Sequence, residues 1–257
     1  DEFAAFAPDV LTETAIATIA ENVLLAMSEP ISVDGEELYP TISIGISMFP
    51  DDGDDVDTLL SSADTAMYAA KNDGRANFKF FTEAMNETGR RHLETVREVR
   101  LALERSEFIL FYQPQVEAGG DGRVLGAEAL IRWQHPQRGM VPPGQFIPVI
   151  EGTRLIIEVG NWVLDEALRQ VCEWRREGFA VCVSINVSPL QFRQDDFLEI
   201  LRHASARHDF AAGSVRLEVT ESLMLTDPEA TIVKMHAVRA LGFHLSLDDF
   251  GTGYSSL

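Results

Sequence analysis

Five oxygen-bearing side chains, those of Glu128, Asn186, Glu218, Asp248 and Asp249, fall toward the C-terminal ends of segments that alternate apolar and polar residues. Period-two alternation puts every second side chain on one face of a strand. In segment 124–133, Glu128 and Arg132 share parity. In 181–187, Cys182, Ser184 and Asn186 oppose Val181, Val183 and Ile185. Arg216, Glu218 and Thr220 oppose Val215, Leu217 and Val219, and Ser246 and Asp248 oppose Leu245 and Leu247, with Asp249 following at once. Gathering so many carboxylates around one lumen is costly unless cations pair them. The set holds no His or Cys, which favours Mg²⁺ or Mn²⁺ over zinc. Adjacent aspartates can share one carboxylate between two ions and place the other on the second, an arrangement suited to phosphodiester hydrolysis. Alternation alone does not bring these residues together in space, and solvated carboxylates in loops remain the competing reading.

The elements that must position them follow a strand–helix rhythm. Strands are expected over 108–115, 124–133, 181–187, 214–220 and 243–248, with helices between several of them, notably over 153–177 and 228–241. Such alternation argues for βα units around a largely parallel sheet or barrel. A complete eightfold barrel needs about 250 residues, so the portion from Glu107 onward is expected to be an incomplete one. Upstream, apolar residues recur at helical spacing over 10–27, a β-branched run covers 38–47, and a second helix spans 58–72 before Gly74. The aspartates at 51–57 lack the order of a calcium-binding loop and read as a solvated lead-in to that helix. Segment 84–106 is a charged helix striped by Leu93, Val96, Val99 and Leu103, read as a connector between two domains.

The 257 residues carry 41 acidic and 21 basic side chains, a formal net charge of −20. Such a chain repels polyanions, so a nucleic-acid polymer is not an expected partner. No apolar run approaches the length of about 18 residues that crosses a membrane, and no part of this segment is expected to act as a signal peptide. The segment is expected to make no membrane contact. Cys172 and Cys182 sit in apolar stretches without metal-site spacing and read as reduced core residues of a cytoplasmic protein.

Glu128-Ala129-Leu130-Ile131-Arg132-Trp133 resembles the signature of the EAL-domain cyclic-di-GMP phosphodiesterases. Around it stand Tyr112-Gln113-Pro114, Phe146-Ile147-Pro148, Ser184-Ile185-Asn186-Val187-Ser188, Leu217-Glu218-Val219-Thr220-Glu221-Ser222 and Asp248-Asp249-Phe250-Gly251-Thr252-Gly253, in the family's order. The opening of the chain resembles the end of a GGDEF domain: Asp1-Glu2-Phe3-Ala4, then Ser43-Ile44-Gly45-Ile46, then Ala63-Asp64-Thr65-Ala66-Met67-Tyr68-Ala69-Ala70-Lys71 with Gly74-Arg75. The resemblance implies an α/β chain in three parts. These are the C-terminal part of a GGDEF domain (1–83), a connecting helix (84–106) and an incomplete TIM-like (β/α) barrel of the EAL type (107–257).

For the site, the resemblance implies that Glu128, Asn186, Glu218 and Asp248 bind one metal ion and that Asp248 with Asp249 holds a second, both Mg²⁺ or Mn²⁺. Arg132 would grip a substrate phosphate, Gln113 would lie near the nucleotide, and Glu221 would pin the loop from Phe250. In the GGDEF part, Asp1 would bind metal, and Lys71 and Arg75 would contact triphosphate; helix-end cations facing solvent are the alternative for that pair. The expected partners are cyclic-di-GMP, GTP at the GGDEF domain of a parent protein, and a second copy through the EAL domains.

Val219 stands in place of the usual Leu, and Glu151-Gly152-Thr153-Arg154 departs from Glu-Glu-Thr-Gly; neither departure touches a ligand position. The family's general-base Lys, a further metal-linked Glu and a substrate-binding Gln would lie beyond residue 257. The segment alone is therefore expected to be inactive, and hydrolysis of cyclic-di-GMP to linear pGpG is expected of the parent. A non-enzymatic cyclic-di-GMP receptor, or a cyclase regulated by its EAL domain, are the alternatives.

Overall fold

The computed structural model describes residues 3–8, 12–33, 36–38, 40–118, 122–208, 210–220, 223 and 228–248. It divides into two compact units, residues 1–94 and 95–257.

In the first unit, helix α1 (Glu13–Met27) is capped by Thr12, whose hydroxyl accepts from the Ala15 amide at 3.3 Å. Strands β1 (Ile31–Val33) and β2 (Glu36–Leu38) pair antiparallel, and β3 (Ile44–Ile46) pairs parallel with β4 (Phe78–Phe80). The single strand expected over 38–47 is thus interrupted. Pro40 falls in the gap, and proline has no N–H to give a ladder. Helix α2 (Val56–Asn72) starts at Asp55, whose carboxylate accepts from the Thr58 amide at 2.7 Å, so the aspartate cluster leads into a helix as expected. Gly45 allows α2 to lie close on β3: a Cβ there would stand 1.9 Å from the Ala63 carbonyl oxygen. Helix α3 (Glu83–Glu104) falls on the segment expected to be a helix over 84–106, begins in the first unit and ends in the second, and is followed by Ser106 in the left-handed region at φ 55°.

The second unit is organised around a six-stranded sheet. Strands β5 (Phe108–Val116) and β6 (Val124–His135) form an antiparallel pair, and β7 (Gly139–Val141) folds back on the far end of β6. Strands β8 (Cys182–Val187), β9 (Val215–Thr220) and β10 (His244–Asp248) follow in parallel, giving the order β10-β9-β8-β6-β5. The antiparallel start has a simple cause. Only residues 117–123 separate β5 from β6, too few for the crossover of a dozen or more residues that a parallel neighbour needs.

The later connections are long enough for crossovers. Helices α4 (Ile147–Ile150) and α5 (Leu155–Arg176) lie between β6 and β8. Helices α6 (Pro189–Arg193) and α7 (Phe197–His208) join β8 to β9, and α8 (Pro228–Ala240) precedes β10. This is the α/β architecture expected of the chain.

One face of the sheet is dry. Ala129, Ile131 and Trp133 of β6, Val183, Ile185 and Val187 of β8, and Val215, Leu217 and Val219 of β9 are buried in one core with Leu155, Val159, Leu164 and Leu168 of α5. Full burial of each large aliphatic side chain contributes about 1.5–3 kcal/mol. Trp133 keeps its indole N–H satisfied by the Glu107 carboxylate at 3.0 Å. No helix among the described residues is long and apolar enough to cross a membrane. Cys172 is buried, Cys182 half-buried, and neither forms a disulfide.

Candidate functional site

The other face of the same sheet carries the polar side chains. Cross-strand partners share a face in a pleated sheet, so the register decides which residues meet. Gln113 of β5 lies opposite Glu128 of β6, and Glu128 is level with Ser184 of β8. Two residues further along β8, Asn186 is level with Glu218 of β9, which is level with Ser246 of β10. Two residues on again, Asp248 is level with Thr220. The row therefore climbs by two residues at a time, and every member keeps the same parity.

One direct bond joins two of the expected ligands. The Asn186 amide nitrogen donates to a Glu128 carboxylate oxygen at 2.8 Å, across 58 residues of sequence. Glu128 and Glu218 are half-buried, whereas Asn186 and Asp248 are exposed. Among the described residues, no three of His, Cys, Asp and Glu gather closely enough to hold a metal ion. The side chains are thus aligned on one face, with Asn186 linking two strands, without forming a closed carboxylate cluster.

Arg132 belongs to this face by parity and lies opposite Ile109. Its guanidinium bonds the Ile131 carbonyl at 2.8 Å and stands 5.5 Å from the centre of the Phe111 ring. Gly126, two residues before Glu128, lets β6 approach β8, since a Cβ there would stand 2.6 Å from the Cys182 carbonyl oxygen. Burial pushes up the Cys182 thiol pKa, against the lowering influence of Arg216.

Three expected site residues, Asp1, Glu221 and Asp249, lie outside the described residues. Lys71 is half-buried in the last turn of α2, and Arg75 is exposed with φ 59°. Both belong to the first unit.

Asn186 is followed by a support that the sequence pattern did not reveal. The chain leaves β8 into α6, whose N-cap Ser188 accepts from the Gln191 amide at 3.1 Å. From α8, the Lys234 ammonium donates to the carbonyls of Phe192 and Gln194 at 3.1 and 2.8 Å, closing the other end of α6. Burial lowers the pKa of this lysine. The Ser188-Pro189 pair is a legible helix start; the reach of Lys234 across 40 residues is not.

Comparison with known proteins gives this face a context. A family model described as the EAL domain matches residues 96–257, and one described as the diguanylate cyclase GGDEF domain matches residues 1–77. The bifunctional diguanylate cyclase/cyclic di-GMP phosphodiesterase MucR of Pseudomonas aeruginosa is 43% identical over 242 residues, covering 94% of this chain and 35% of that protein. The cyclic di-GMP phosphodiesterase PdeR of Escherichia coli is 35% identical, covering 100% of this chain and 38% of its own length. The chain thus spans little more than a third of these curated relatives. A solved structure of the MucR phosphodiesterase in complex with c-di-GMP is 44% identical, with a TM-score of 0.60, covering 63% of this chain and 66% of that one.

Proposed function

The chain belongs to the EAL domain family, within a GGDEF–EAL tandem, and from that membership we propose that the protein containing it hydrolyses cyclic-di-GMP to linear pGpG on the polar face of the six-stranded sheet. The observation that carries this reading is the Asn186–Glu128 bond in register with Glu218, which ties three oxygen-bearing side chains of three adjacent strands to one face. The names of the relatives support the same substrate.

The donor chemistry suits hard divalent cations, Mg²⁺ or Mn²⁺: oxygen ligands, with neither thiolate nor imidazole among them. Glu128, Asn186, Glu218 and Asp248 would hold one ion, and Asp248 with Asp249 a second. Bound there, such ions supply Lewis acidity and neutralise charge on the phosphodiester. The protein's own part is placement. Asn186 takes one oxygen of Glu128, which fixes that carboxylate and leaves its second oxygen and the Asn186 amide oxygen as ligand atoms. Arg132, released from the Ile131 carbonyl, offers a planar pair of donors to a phosphate. Gln113, level with Glu128, would meet the nucleotide beside it. Glu221 is proposed to pin the loop that follows β10. In the first unit, Asp1, Lys71 and Arg75 are proposed to serve GTP, and a homodimer through the EAL domains is proposed for the parent protein.

The test is production of pGpG from cyclic-di-GMP by the full-length protein with Mg²⁺ or Mn²⁺. Turnover that stops with a chelator and returns with the metal is the expected result. Tight binding of the dinucleotide without turnover would replace this reading with a receptor.

A further inference from the structure

Among the described residues of the polar face, no two carboxylates are level neighbours. Glu128 is level with Ser184 on β8, and Glu218 is flanked by Asn186 on β8 and Ser246 on β10. Each carboxylate therefore has a neutral, hydrogen-bonding side chain beside it, about 5 Å away at the spacing of adjacent strands.

The two serines have a second property in common. Ser184 is 1% exposed, and its hydroxyl is buried without a hydrogen-bond partner; the Ser246 hydroxyl is likewise buried and unpartnered. Such orphaned hydroxyls are uncommon, because removing one from water without a partner is costly. The two other buried unpartnered atoms among the described residues lie elsewhere. One is the Asn77 amide oxygen in the first unit, and the other is the Tyr112 hydroxyl, on a strand residue of opposite parity that packs on Trp174. An orphaned hydroxyl beside each of the two half-buried glutamates calls for an explanation specific to them.

Resting on the phosphodiesterase reading above, we propose that Ser184 and Ser246 are positioning residues. Each donates a hydrogen bond to the carboxylate level with it, Ser184 to Glu128 and Ser246 to Glu218, when that carboxylate turns to hold a divalent cation. With Asn186 already on one oxygen of Glu128, the Ser184 hydroxyl fixes the remaining torsional freedom of that side chain. Partners of this kind orient ligands without touching the ion, and their loss typically weakens metal binding about 10- to 100-fold. In the metal-free state the hydroxyls stabilise nothing, so their removal leaves the fold as stable or more so.

The experiment uses the full-length protein and needs no substrate. Mn²⁺ binding is followed by calorimetry, and thermal unfolding is measured after chelation, for the wild type, Ser184→Ala and Ser246→Ala. A variant on the dry face, Val183→Ala, serves as a control for general loosening. Each serine variant is expected to bind Mn²⁺ about 10-fold more weakly or worse, with a metal-free unfolding temperature equal to or above the wild type. Ser246→Thr, which keeps the hydroxyl, is expected to restore affinity. Wild-type affinity in both alanine variants overturns the inference alone. Val183→Ala is expected to lower the unfolding temperature and keep its affinity; a loss of affinity in the serine variants that merely tracks a fall in unfolding temperature overturns the inference too. A wild-type protein that takes up no Mn²⁺ brings down the metal-dependent reading itself.

Discussion

On one face of the six-stranded sheet, Val183, Ile185, Leu217 and Val219 are at most 1% exposed and pack beneath helices. On the other, Glu128, Asn186, Glu218 and Asp248 remain in contact with solvent. The same strands supply both sets by simple alternation. The burial of β9 alternates strictly between buried and half-buried over its six residues. The contrast teaches a division of labour: substitutions on the dry face change stability, and substitutions on the polar face change chemistry.

The strongest test of that division is Leu217→Ala. Deleting this fully buried side chain is expected to cost about 2–5 kcal/mol of stability while leaving Mn²⁺ affinity and turnover per folded molecule unchanged. Chemical denaturation beside an activity titration checks both. A specific loss of turnover would blur the distinction between the faces.

Arg132→Ala should show the converse. Removing a phosphate-binding guanidinium is expected to lower kcat/KM for cyclic-di-GMP by about 100-fold, equivalent to about 2.7 kcal/mol, with an unchanged denaturation midpoint. An effect on stability larger than that on kcat/KM would assign Arg132 to packing on Phe111.

Lys234→Met lies between the two. It removes the two bonds that close α6 behind Asn186, for an expected loss of about 1–2 kcal/mol and a small drop in metal affinity. Affinity unchanged at reduced stability would show that α6 does not steady Asn186.

The smallest effect is expected outside the sheet, at His92. Burial lowers its pKa, and its ring nitrogen lies 2.7 Å from the Tyr68 hydroxyl. The folded state then binds fewer protons than the unfolded chain around and below the unfolded histidine value of about 6.5. The contribution is therefore complete above that value and fades as the pH falls through it. Unfolding of the first unit between about pH 7.5 and 5.5 should lose a pH-dependent component in His92→Gln, while the sheet is unaffected. An identical pH profile for the variant removes His92 from the account.

The division between faces was legible in the sequence, because parity needs only the alternation of Val215, Leu217 and Val219 with Arg216, Glu218 and Thr220. The long helix α5 was legible over 153–177, and the acidic run 51–57 as a lead-in to α2, though not Asp55 as its cap. The cross-strand register was not. Which residue stands level with Glu128 depends on how each strand is offset from its neighbour, and no local pattern encodes that offset. The short elements β4, β7 and α6 were missed because three to five residues carry too little periodicity, whereas Phe197, Leu198, Ile200, Leu201 and Ala204 of α7 do recur at helical spacing. The interrupted run at 38–47 shows the reverse error, with β-branched composition outweighing Pro40.

The most direct test of the central claim is Glu128→Ala in the full-length protein, assayed for pGpG formation from cyclic-di-GMP with saturating Mn²⁺ beside a denaturation curve. Turnover is expected to fall to background with the folding midpoint little changed, because the side chain lies on the polar face of the sheet. Substantial turnover in the variant would contradict the assignment of that face as the reaction site.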